Sequence, residues 1–122
     1  MISKVKLVNI PVADQDRALR FYCDVLGFSK LADLPAGPGQ RWIELGAPSG
    51  GAKVVLYAPP NCDLLPGRFM NVVFTCSDVE EEYRRLKREN VAFVQEFQTA
   101  EWGSSCIFKD SEGNSFALTT DN

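Results

Sequence analysis

Two stretches of this chain carry the same pattern, and that duplication limits what the chain can fold into. Val8-Asn9-Ile10-Pro11-Val12-Ala13-Asp14 leads into Arg17-Ala18-Leu19-Arg20-Phe21-Tyr22. About half a chain later, Val72-Val73-Phe74-Thr75-Cys76-Ser77-Asp78 leads into Glu81-Glu82-Tyr83-Arg84-Arg85-Leu86. Each copy is an alternating strand, an aspartate placed to cap a helix, and an amphipathic helix.

The segments that follow complete the unit in each half. In the first, Ala18, Leu19, Tyr22, Val25 and Leu26 make the apolar helix stripe, and Gly27 is placed to end the helix in a left-handed conformation. Strands are expected over Phe28–Ala32, Arg41–Leu45 and Lys53–Tyr57, with Leu34–Gln40 a loop. Pro11 cannot donate to a ladder and belongs at an edge, a bulge or a strand end. In the second half the strand Phe69–Cys76 precedes a helix capped by Asp78, with Val79, Tyr83 and Leu86 as its buried stripe and Arg84, Arg85, Lys87 and Arg88 on its solvated face. Strands Val91–Phe97, Ser104–Lys109 and Ser115–Thr119 follow, the last two joined by a turn at Ser111–Asn114.

The expected fold is therefore α+β, two βαβββ modules forming a curved mixed sheet around a concave cavity. Module 1 spans about 1–58, a linker 59–67 and module 2 about 68–122, together one domain of 122 residues. A sheet with one face under its helix leaves the other uncovered, and that face is the natural ligand surface.

Composition removes several function classes. The net charge is −3, and no basic stripe runs along the chain, which argues against nucleic acid and anionic membranes as partners. No run is long and apolar enough to span a bilayer and no leader pattern opens the chain, so a soluble cytoplasmic protein is expected. There is no histidine, and Cys23, Cys62, Cys76 and Cys106 form no ligand motif. The thiols read as reduced, mostly buried small hydrophobes.

Phe21-Tyr22 with Val25-Leu26-Gly27-Phe28, and Phe108-Lys109-Asp110-Ser111-Glu112-Gly113-Asn114 near the end, resemble the vicinal oxygen chelate superfamily. That group includes glyoxalase I, extradiol dioxygenases, fosfomycin-resistance thiol transferases and the bleomycin and mitomycin resistance proteins. The resemblance covers essentially the whole chain. In the enzymes of the group, His, Gln or Glu on the first and last strands of each module hold a divalent metal. Carried over by position, those places fall on Leu7, Asn71, Ala117 and either Val55 or Tyr57. Three of these residue types, Leu, Ala and Val, have no donor atom, and a lone amide is a poor ligand.

The resemblance and the substitutions together imply a binder of the bleomycin-resistance type, a homodimer sequestering a planar aromatic or cationic small molecule, with no cofactor, metal or catalytic residue. By strand alternation Leu7 and Asn9 are expected on the concave face with Asn71, Val73, Thr75 and Ala117. Trp42, Glu44, Tyr57 and the loop residue Trp102 complete the expected ligand site. Two alternatives are an enzyme using a metal-independent site, with Glu44 or Tyr57 as acid or base, and a structural or regulatory dimer whose cavity is filled by its own side chains.

Overall fold

The structure, a computed structural model, describes residues 1–58 and 65–121. Most of the expected linker, with Cys62, and the terminal Asn122 lie outside the described residues. The chain divides into two compact units, Met1–Pro66 and Gly67–Asn122. Both are βαβββ modules of an α+β fold, each built on its own four-stranded, curved mixed sheet.

In the first unit β1 (Leu7–Pro11) is followed by helix α1 (Gln15–Arg20) and strands β2 (Ser29–Pro35), β3 (Arg41–Gly46) and β4 (Lys53–Tyr57), in the sheet order β1-β4-β3-β2. β1 runs parallel to β4 and the remaining pairs are antiparallel. Pro11 is the last residue of an edge strand, where its missing N–H costs no ladder bond. Asp14 caps α1 by accepting from the Arg17 N–H at 3.0 Å. The helix then widens into a π-helical stretch over Phe21–Val25, with the Leu26 N–H reaching back to the Phe21 carbonyl at 3.2 Å. Gly27 closes it with φ +83°.

The register sorts the first sheet into two faces. Val8, Val54 and Leu45 form one cross-strand row, and Ile10, Leu56 and Ile43 the next. These rows, with Ala18 and Tyr22 of the helical segment, are the core of the unit; Ile10, Ala18, Tyr22, Ile43, Leu45 and Leu56 are all fully buried. Each such aliphatic side chain contributes roughly 1.5–3 kcal/mol relative to exposure.

β2 reaches three residues beyond the expected Ala32, because Leu34 and Pro35 pair with Trp42 and Arg41. The Pro/Gly-rich composition of that stretch suggests a loop, but β2 is an edge strand and tolerates the proline. Charge also ties this corner together. Arg41 grips Asp33 through Nε at 3.0 Å and Nη2 at 2.6 Å and also binds Asp16 of α1. The Gln15 amide donates to the Arg41 and Leu56 carbonyls at 2.7 and 3.0 Å, tying the start of the helix to the sheet.

The Arg41 guanidinium holds the Asp33 carboxyl below its ordinary range. Its contribution to stability is present above the unfolded value, about 3.9, and is lost as pH falls through the lower folded value. Asp33→Asn should therefore unfold at lower denaturant than the parent at pH 7, with the gap closing toward pH 2. A gap of equal size at both ends, read from urea midpoints, would mean that the pair adds no pH-dependent stability.

The second unit repeats the plan with β5 (Phe69–Cys76), α2 (Val79–Arg88), β6 (Phe93–Ala100), β7 (Gly103–Lys109) and β8 (Ser115–Thr120), in the order β5-β8-β7-β6. Asp78 caps α2 by accepting from the Glu81 N–H at 3.0 Å. Val79 and Leu86 are buried, while Tyr83 is half-buried against Phe93 and Phe97. On the helix face expected to be solvated, Arg85 is only half-exposed and paired with Glu82, and Lys87 pairs with Glu96 at 2.8 Å. The core row Phe74, Leu118 and Cys106 lies beside Phe116 and Phe108, with ring centroids of Phe74 and Phe116 5.0 Å apart.

Candidate functional site

Residues that pair across strands share a face, so the register alone assembles the candidate site of the first unit. Asn9 pairs with Val55, Val55 with Glu44, and Glu44 with Ala32, making one row across all four strands on the face opposite the Ile10 core. Leu7 with Lys53 and Pro11 with Tyr57 flank this row on β1 and β4, and Trp42 with Leu34 flanks it on β3 and β2. Four of the expected site residues, Asn9, Trp42, Glu44 and Tyr57, thus lie on one face.

Sequence reasoning missed Lys53. Its ammonium lies 3.3 Å from Glu44 Oε2, and the Trp42 indole N–H approaches Glu44 Oε1 at 3.4 Å. The Glu44 side chain is 17% exposed, so its charge is largely removed from water and balanced by these two groups. The signal was faint: Lys53 is two residues from Val55, the cross-strand neighbour of Glu44, and only the register makes the pair visible.

In the second unit Val73, Ala117, Ile107 and Gln95 form one row, and Thr75, Thr119, Ser105 and Gln98 the next, again opposite the aromatic core. Thr75 and Ala117 are brought together here. The Thr75 hydroxyl donates to the Thr119 carbonyl at 3.0 Å, and Gln95 donates to Ser105 at 3.3 Å. Asn71 lies where the β5–β8 register shifts, with φ +56°, so strand alternation does not set its direction. Trp102 is in the β6–β7 turn, off the sheet face and 55% exposed.

The chemistry available is limited. At the positions where the resemblance places metal donors, Leu7, Val55 and Ala117 offer no donor atom and Tyr57 and Asn71 offer one neutral group each. Among the described residues no three His, Cys, Asp or Glu side chains come close enough to hold an ion. These residues do not fit a divalent metal of the family type. Burial pushes the thiols of Cys23 and Cys76 up, and that of Cys106 to about 11, so none is poised as a nucleophile near neutral pH. No helix among the described residues is long and apolar enough to cross a membrane.

Comparison with known proteins places the chain in context. The model of the Glyoxalase/Bleomycin resistance protein/Dioxygenase superfamily matches residues 4–118. The uncharacterized protein YetH of Bacillus subtilis (strain 168) is 32% identical over 118 residues, covering 97% of this chain and 98% of that protein. A crystal structure from Sphaerobacter thermophilus DSM 20745, described as a member of the same superfamily, has a TM-score of 0.90 at 29% identity and covers 98% of each chain. TnmS3, an antibiotic binding protein from Streptomyces sp. CB03234, has a TM-score of 0.84 at 30% identity, over 99% of this chain and 98% of its own.

Proposed function

Because the chain belongs to the glyoxalase/bleomycin resistance protein/dioxygenase superfamily, we propose that it binds and sequesters a small planar aromatic or cationic molecule without metal chemistry or catalysis. The observation that carries this reading is the face holding Asn9, Trp42, Glu44, Lys53, Val55 and Tyr57. Two aromatic side chains border an apolar strip whose one carboxylate is already compensated by Lys53 and the Trp42 indole. With that carboxylate already held by two donors, stacking on the rings is the main attraction left to a ligand. The similarity to an antibiotic binding protein supports binding over turnover.

The reading includes a homodimer in the cytoplasm. Phe69 and Val73 on the edge strand β5 are 44% and 59% exposed, an apolar surface suited to cover by a second copy. The described cysteines are unbridged, as in a reducing compartment.

A thermal-shift plate of divalent metals, glutathione and planar or cationic organic compounds tests the proposal. A ligand at about 100 times its dissociation constant adds roughly 2.7 kcal/mol, a rise on the order of 10 °C for a domain of this size. The expected result is a saturable shift with an organic compound and none with metals. A shift with a metal alone would make the protein a metalloenzyme candidate, and a monomeric mass by light scattering at micromolar concentration would remove the dimer.

A further inference from the structure

We infer that the first unit carries a second binding site, for small multivalent oxyanions, in a groove where β1 and β4 begin. The groove has a volume of about 680 Å³ and is lined by residues 3–6 and 51–53, among them Lys4, Lys6 and Lys53. That size matches a small metabolite rather than a polymer.

Charge is what singles it out. The chain as a whole carries −3, yet residues 1–13 and 45–62 contain no carboxylate at all. Lys4 and Lys6 are exposed and enter no ion pair among the described residues. The Lys53 N–H donates to the Lys6 carbonyl at 3.1 Å, which fixes the two basic segments side by side. On the β4 side the lining begins at Gly51, with φ +89°, a conformation in which any other side chain is strained. Bare backbone therefore borders the lysines, and an anion can approach without displacing a side chain.

Lys53 links this groove to the face described above. Its side chain is 45% exposed and its ammonium lies 3.3 Å from Glu44, so an anion in the groove competes with Glu44 for the same cation. Among the described residues Glu44 is the carboxylate paired with a groove lysine, so substitutions on the two sides have opposite signs. The assignment does not depend on what occupies the Trp42–Tyr57 face.

Titration of inorganic pyrophosphate into the ¹⁵N-labelled full chain at constant ionic strength tests it. Saturable shifts confined to the amides of residues 4–6 and 51–53 are expected. Lys4→Gln with Lys6→Gln should weaken the affinity about tenfold, since two charge-assisted contacts are lost. Glu44→Gln should tighten it about threefold, since it releases Lys53 and removes a repelling charge. Shifts that do not saturate, that sodium chloride reproduces, or that persist unchanged in the lysine variant would overturn the assignment, as would weaker binding in Glu44→Gln.

Discussion

Asn114→Ala is expected to lower the unfolding free energy by roughly 2–4 kcal/mol, because each buried polar group left without its partner costs about 1–3 kcal/mol. Asn114 has no exposed surface. Its Nδ2 donates to Asp110 Oδ2 at 3.1 Å, and its Oδ1 accepts from the Gly67 N–H at 2.8 Å. Its backbone N–H donates to Asp110 Oδ1 at 2.9 Å, and its carbonyl accepts from the Asp110 N–H at 2.8 Å. Alanine keeps the backbone bonds but removes the amide's contacts with Asp110 Oδ2 and the Gly67 N–H.

The turn therefore does two jobs. It sets the β7–β8 hairpin register that places Ala117 opposite Ile107, and it clamps the first residue of the second unit. Gly113 permits this with φ +83°, and a Cβ there would meet Gly67 Cα at 3.4 Å. Lys109→Ala, on an exposed side chain of the same hairpin, should change stability by no more than about 0.5 kcal/mol. Urea unfolding of both variants decides the matter; a loss of less than 1 kcal/mol for Asn114→Ala, on the order of a surface change, would mean that the turn holds without its side chain.

Trp42→Ala is expected to weaken binding of the compound found in the thermal-shift plate by about 30-fold, a loss of roughly 2 kcal/mol typical of a central tryptophan anchor. Trp42 is half-buried on β3 with its N–H toward Glu44, and the register places it one step from the Ile43–Leu56 pair and so beside Tyr57. Trp42→Phe keeps a stacking ring but loses the indole N–H, and should retain most of the affinity. Trp102→Ala, in the β6–β7 turn, separates the two aromatics by calorimetry with the same compound. A larger loss for Trp102→Ala than for Trp42→Ala would move the site away from the first sheet.

Helix ends in this chain follow from local signals. Asp14 and Asp78 cap their helices as their positions predict, and Gly27 ends the first helical segment in the left-handed region. These depend on residues only a few positions apart. The alternation of β1, and of β5 from Val73 onward, likewise shows which residues share a face, since successive side chains in a strand point to opposite sides.

Strand ends depart from the sequence pattern where a partner strand decides. β2 and β6 run three residues past their expected ends because β3 and β7 offer continued pairing: Pro35 with Arg41, and Ala100 with Gly103. The π-helical turn at Phe21–Val25 also had no sequence signal, since the same apolar spacing suits an ordinary helix.

What the sequence determined by itself is the duplicated βαβββ plan, the two-faced strands and the absence of any histidine. Only the tertiary structure decided which charges are compensated. Glu44 reads in the sequence as a lone inward carboxylate, and Arg41 as an ordinary strand residue. Register sets Lys53 against the first, while Asp33 and Asp16 close on the second. A charge pair between residues distant in sequence depends on ångström-scale placement across paired strands, and no periodicity within one strand encodes it.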